Sequence, residues 1–217
     1  MPTSTMACAA ISDGGEVLRL TRPTDRTGRS QASPFHYATT NINMAAIPYA
    51  DLSAPDIQPL AERIAAERGS VLHLYQMLLH APPVAEGWLT YLTAIRQKSS
   101  LPGALREMVI MRVAILNGAS YEADQHAPIA LKEGMTQAQL DALPAWRDST
   151  LFADVERAVL AYTDAMTRDI RVEPAVFAEI ARHFSHRHVV ELTATIAAYN
   201  MVSRFLEALQ VHSHDER

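Results

Sequence analysis

From residue 53 onward, apolar positions recur every three to four residues, so the stretch reads as a succession of amphipathic helices. Ser53 is placed to cap a first helix with body Ile57–Arg68, closed by Gly69. Ser70 can cap a second, Val71–His80, which the Pro82-Pro83 pair should stop. A third runs over Val84–Gln97. Leu101-Pro102 then opens a strongly apolar helix, Gly103–Asn117, with Gly118 just past its end. Ser120 follows as a cap for Tyr121–Glu133, ended by Gly134. Thr136 with Gln139 three residues on forms a capping box for a short helix to Leu143. Helices over about 152–168, 174–183 and 186–209 complete the pattern, with Ser185 capping the last. No period-two alternation flanked by hairpin turns occurs, so the expected fold class is all-α, built around the hairpin of the fourth and fifth helices.

The periodicity is absent at the start. Residues 1–43, rich in Thr, Ser, Gly, Arg and Pro, read as a disordered extension. Residues 44–210 read as the folded domain and 211–217 as a polar tail, while Met44 resembles an alternative start. The apolar run from Met6 to Ile11 has no basic flank and is too short for a signal peptide. No stretch reaches the length of a membrane span.

Composition narrows the function. Hydrophobic residues make up 48% of the 217, enough for a substantial core, and only 6% are aromatic. A net charge of −5 argues against a nucleic-acid partner. The single cysteine, Cys8, excludes an internal disulfide, a Cys-rich zinc site and a dithiol redox pair, and it suits a reducing cytoplasm.

The chemistry concentrates in residues 101–136. Glu122 and His126 are four apart and share one helical face. Only Gly118-Ala119 separates the two helices, so they fold back on each other. Counted from that turn, Glu107 lies about eleven residues out and His126 about seven; at about 1.5 Å per residue they reach similar heights. A carboxylate and an imidazole that converge in a partly buried setting can exchange protons near neutral pH. The same residues also suit an ion pair that merely holds helices or subunits together.

The run Leu101-Pro102, Arg106-Glu107-Met108, Asn117-Gly118, Tyr121-Glu122, His126, Ala130, Gly134-Met135-Thr136 resembles the core of the carboxymuconolactone decarboxylase family. Tyr199-Asn200 and the text around Glu156 to Thr163 are similar to its second half. The resemblance implies an alkylhydroperoxidase D-like helical bundle. In that peroxidase group a Glu is followed after eleven residues by Cys-x-x-Cys, then three residues and His. Glu107 and His126 match, but Ala119 and Glu122 occupy the thiol positions, so the thiol-free, decarboxylase-like branch is implied. Ala123 departs from the aromatic residue often found after the second Glu there.

The resemblance further implies a decarboxylase or related lyase for a small carboxylated lactone or β-keto acid, with no cofactor and no metal. His126, Glu107 and Glu122 are the expected acid–base residues. Tyr121 would add a hydroxyl, and Arg106, Arg112 and Arg204 are candidates for holding substrate carboxylates. For each arginine an intersubunit or interhelix ion pair is the favoured reading. A homo-oligomer, often trimeric or hexameric, with the site near a subunit boundary is also implied. The alternatives are a peroxidase, disfavoured without the cysteine pair, and a non-catalytic ligand-binding oligomer.

Other signals carry less. His186 and His188 at a helix start diverge, and the expectation is no metal site. Pro128 should kink the fifth helix or free a carbonyl near His126.

Overall fold

The structure, a computed structural model, describes residues 45–215. The expected extension over 1–43, Cys8 and the start at Met44 lie outside the described residues. Nine α-helices and no β-strand make up the described residues. They are α1 (Gln58–Arg68), α2 (His73–Leu78), α3 (Pro82–Gln97), α4 (Gly103–Asn117), α5 (Ser120–Lys132), α6 (Gln137–Ala142), α7 (Asp154–Arg168), α8 (Pro174–His183) and α9 (His186–Ala208). A 3-10 segment, Leu143–Asp148, follows α6.

Helix α4 is the axis of the bundle, packed by α5, α7 and α9. Every residue from Glu107 to Ala114 is buried, so a helix apolar on nearly all sides is buried on all of them. Its end is fixed by backbone geometry. Gly118 takes φ 68°, a left-handed conformation that costs any residue with a Cβ. That turn lets Gly118 N–H donate to Ile115 O at 3.3 Å and Ala119 N–H to Ala114 O at 2.9 Å. This paired pattern closes the helix and reverses the chain into α5.

Local chemistry moved several boundaries. Ser53 does not cap α1; its amide and hydroxyl bind the Asp51 carboxylate at 2.9 and 2.7 Å. Helix α2 is shorter than expected, with Leu72 rather than Ser70 at its N-cap. Pro82 and Pro83 open α3 rather than stopping α2, because proline's missing N–H costs nothing in a first turn. Thr136 and Gln139 do form the capping box, and Ser185 accepts from His188 N–H at 3.3 Å. Pro128 sits within an uninterrupted α5.

Glu191 on α9 pins the loop between α3 and α4, accepting from the Ser100 amide at 3.0 Å and its hydroxyl at 2.7 Å. The described part of the polar tail is docked: Val211 is buried, Tyr49 Oη donates to Asp215, and His212 N–H donates to the same carboxylate at 2.9 Å.

Candidate acid–base site

The α4–α5 hairpin brings Glu107, Glu122 and His126 together, as their spacing suggested. All three are buried, at 1%, 3% and 4% exposure. His126 Nδ1 lies 2.6 Å from Glu107 Oε2. A carboxylate only accepts, so Nδ1 carries the proton and Nε2 is directed to the other side. There Glu122 Oε2 stands 3.6 Å away, too far for a hydrogen bond and near enough to close by a small rotation. That oxygen is buried with no hydrogen-bond partner.

The two carboxyls face opposite pressures. Burial pushes Glu107 up, but the hydrogen bond and charge of His126, with the charges of Arg106 and Arg96, outweigh it and leave its pKa below the usual value. Burial also pushes Glu122 up; His126 and Arg96 oppose weakly, the Glu107 charge adds, and the net direction is upward. One imidazole therefore lies between a carboxylate that favours ionisation and a carboxyl that favours its proton. Pairs split this way assign base and acid roles.

Tyr199, from α9, completes the enclosure. Its ring meets that of His126 edge-on, centroids 5.1 Å apart at 89°. Burial drives its phenol upward, reinforced by Glu122 and Glu107 and opposed by Arg96 and Arg106, so it stays a hydroxyl donor. Only the family resemblance marks Tyr199 in the sequence, because nothing local links α9 to the hairpin.

The expected carboxylate-binding residues do not converge. Arg106 Nε donates to Glu107 Oε1 at 3.2 Å, with Glu133 at 3.8 Å, so it supports the site from α4. Arg112 sits in an interhelix ion pair, the structural one of its two expected roles. It is 2% exposed; Nε and Nη2 grip both oxygens of Asp164 at 2.6 and 3.1 Å, and Nη1 donates to Leu143 O at 2.9 Å and Pro144 O at 3.2 Å. Four of its five N–H groups are satisfied within the protein and the side chain is buried, which turns it away from substrate. Arg204 is exposed and turned onto Asn200, donating to its backbone and side-chain oxygens at 3.0 and 2.8 Å. Tyr121 is buried and turned to α2, accepting from Leu74 N–H at 3.5 Å, with its ring tilted toward His73.

Two surface grooves lie elsewhere, one of about 540 Å³ beside Trp146, Arg157 and Arg182, and an apolar one of about 590 Å³ beside Phe177, Phe184 and Val190. Neither is lined by the acid–base trio. Among the described residues no group of three or more His, Cys, Asp or Glu is arranged to hold a metal ion. No described helix is long and apolar enough to cross a membrane.

The hairpin, its buried trio and the surrounding helices define a class. The sequence pattern of the carboxymuconolactone decarboxylase family matches residues 82–165, which contain all three site residues. Over this stretch the chain belongs to the carboxymuconolactone decarboxylase family, and its fold is AhpD-like. It is 30% identical to the uncharacterized protein YnjA of Escherichia coli K12 over 126 residues, 58% of this chain and 66% of that protein. It is 26% identical to the uncharacterized protein YdfG of Bacillus subtilis 168 over 115 residues, 52% of this chain and 78% of that protein. Among solved structures, a peroxidase-related protein with an alkylhydroperoxidase AhpD core from Ralstonia eutropha JMP134 superposes with a TM-score of 0.68 at 19% identity, over 79% of this chain and 93% of that one. The debrominase Bmp8 superposes with a TM-score of 0.66 at 21% identity, over 81% and 94%. These likenesses show the fold.

Proposed function

We propose that the protein is a cofactor-independent carboxy-lyase, or a closely related acid–base enzyme, for a small carboxylated lactone or β-keto acid. The observation that carries this reading is His126 held between the Glu107 carboxylate at 2.6 Å and the buried, unpartnered Glu122 carboxyl at 3.6 Å.

In such a substrate the carbon–carboxylate bond breaks, carbon dioxide leaves, and the electron pair passes onto the conjugated carbonyl as an enolate. Tyr199, kept protonated by burial, is the donor for the developing enolate oxygen. Carbon then needs a proton. Glu122, whose protonated form burial favours, supplies one beside His126 Nε2, 3.6 Å away, and Glu107 fixes the imidazole tautomer from the other side. Delivery leaves two buried carboxylates flanking a neutral imidazole, a state that draws a replacement proton from water.

Thiol chemistry has less support, since Ala119 and Glu122 stand at the two cysteine positions. The debrominase Bmp8, similar in fold, forms a complex with 2,3,4-tribromopyrrole, which supports a small cyclic ligand for this scaffold. We further place the protein in the cytoplasm, in keeping with its single cysteine, and as a homo-oligomer.

The test is turnover of an activated carboxylactone. His126→Ala and Glu107→Gln should fold yet lose roughly 10²- to 10⁴-fold in rate, the usual worth of a positioned acid or base. Near wild-type rates in both would overturn the assignment. Ligand binding without turnover in the wild type would favour a non-catalytic binder.

A further inference from the structure

Helix α5 ends on an acid. Glu133 is its C-cap, its N–H donating to Ile129 O at 2.9 Å, and Gly134 at φ 110° turns the chain away behind it. A carboxylate is poorly placed at a helix C-terminus, where the dipole is negative. The first turn of α4 has the opposite need, for it carries no acidic residue of its own. The hairpin brings these two helix ends together, and the Glu133 side chain lies against Gly103, the first residue of α4. A Cβ built on Gly103 would fall on the Glu133 carboxyl group, so only glycine leaves that seat open.

From there Glu133 Oε1 stands 3.8 Å from Arg106 Nη2, while Arg106 Nε donates to Glu107 Oε1 at 3.2 Å. One guanidinium is thus shared by two carboxylates in different settings. The Glu107 side chain is 1% exposed and its other oxygen holds His126 at 2.6 Å, whereas the Glu133 side chain is 39% exposed. The line Glu133, Arg106, Glu107, His126 therefore runs from the solvent edge of the hairpin to the imidazole. The Arg106 side chain is itself only 11% exposed, so water and salt screen its charge weakly on the Glu107 side.

We propose that Arg106 is a positioning residue for Glu107, and that Glu133, seated in the notch left by Gly103, sets how firmly Arg106 holds that carboxylate against His126. The proposal rests on the acid–base reading and adds a contact that tunes the site from its solvent edge. Arg106 acts through Glu107, because its cation favours the ionised carboxylate that accepts from His126 Nδ1–H. Glu133 draws the same guanidinium outward and weakens that support. The other groups acting on or sensing the Glu107 charge are His126 and Glu122 on α5, Arg96 on α3 and the Tyr199 phenol on α9. On the α7 side the Asp164 carboxylate is taken up by Arg112 and Arg147.

The test reads the protonation of Glu107 directly, from its side-chain carboxyl resonance in the carbon-13-labelled full chain, with no substrate present. Loss of one signal in Glu107→Gln assigns it. Arg106→Gln should move the midpoint to higher pH, because a cation beside the carboxylate is lost. Glu133→Gln should move it to lower pH, because Arg106 is released to Glu107 alone. Gly103→Ala should act in the same direction as Glu133→Gln: the new methyl displaces the flexible end of Glu133, and alanine suits a helix better than glycine. Arg106→Gln combined with Glu133→Gln should titrate as Arg106→Gln alone, since Glu133 acts through the guanidinium. Arginine and glutamate that merely tied α4 to α5 would lower thermal stability alike and give no shifts of opposite sign. An unmoved midpoint in Arg106→Gln, shifts of the same sign in the two single variants, or a Glu133 effect that persists without Arg106 would overturn the proposal. If Arg106→Gln does not fold, Glu133→Gln and Gly103→Ala decide it, and a midpoint that does not fall in both overturns it. Failure of the acid–base reading would appear in the turnover of His126→Ala and leave these titrations unchanged.

Discussion

Glu122 occupies a position where an ionised carboxylate is hard to sustain. It is 3% exposed, one oxygen has no hydrogen bond, and the Glu107 charge lies on the far side of the same imidazole. Burial and that charge raise its pKa, while Glu107 is held below its ordinary value by His126, Arg106 and Arg96 despite its own burial. A mechanism that needs Glu122 protonated and Glu107 ionised is active between the two. Activity fails on the acid side as Glu107 gains a proton, below the usual Glu value of about 4.3, and on the alkaline side as Glu122 loses one, above it. A bell-shaped pH profile of kcat is expected. Glu122→Gln should lower the plateau and remove the alkaline limb that Glu122 causes; a profile unchanged in shape and height would exclude Glu122 from proton transfer.

At the scale of elements, the pair Arg112–Asp164 ties α4 to α7, with Arg147 reaching the same carboxylate at 2.6 Å and Trp146 Nε1 at 3.3 Å. Removing one member of a buried pair costs about 3–5 kcal/mol, because the other charge is stranded. Arg147 still reaches Asp164, so Arg112→Met should fall at the low end, about 3 kcal/mol, or roughly 10 °C in Tm for a chain of this size. Burial raises the Asp164 pKa, but the hydrogen bonds from Arg112 and Arg147 outweigh it and set it below the ordinary value. That stability is present above the unfolded Asp value of about 3.9 and drains away as pH falls through the lower folded value. Acid unfolding followed by circular dichroism should show this component in the wild type and not in Asp164→Asn. Arg112 also marks what a sequence can disclose. Its interruption of an apolar run was visible, but its partner lies 52 residues on in another helix. The α4–α5 hairpin was legible because Gly118, Gly134 and the Thr136–Gln139 box are local signals with local causes. Glu107, Glu122 and His126 were legible because helical geometry converts their spacing into proximity. Tyr199 reaches the cluster from α9 by tertiary packing, which leaves no trace in spacing.

At the scale of the molecule, α9 has two faces with different duties. Inward, Tyr199 closes on His126 and Asn200 binds Asn117 and Thr167. Outward, Val190, Ala194, Ala197 and Met201 fall at helical intervals of four, three and four; Val190 is 67% exposed and Met201 36%. Exposed Tyr91 on α3 joins this face, its hydroxyl donating to Ala194 O at 3.4 Å, and exposed Val84 lies on the same helix. A contiguous apolar strip of this kind marks an association surface more often than a bare exterior. The trimeric or hexameric assembly expected from the family resemblance gives it an occupant, further copies of this chain. Wild-type protein should sediment as such an assembly, and Val190→Asp with Met201→Asp should shift it to monomer, because paired charges in an apolar interface are left desolvated without partners. Since the same helix carries Tyr199 on its other face, loss of assembly should also lower turnover by loosening the ring against His126. A wild type that sediments as a monomer, or a double variant that keeps the assembly intact, would show that this strip does not join the subunits.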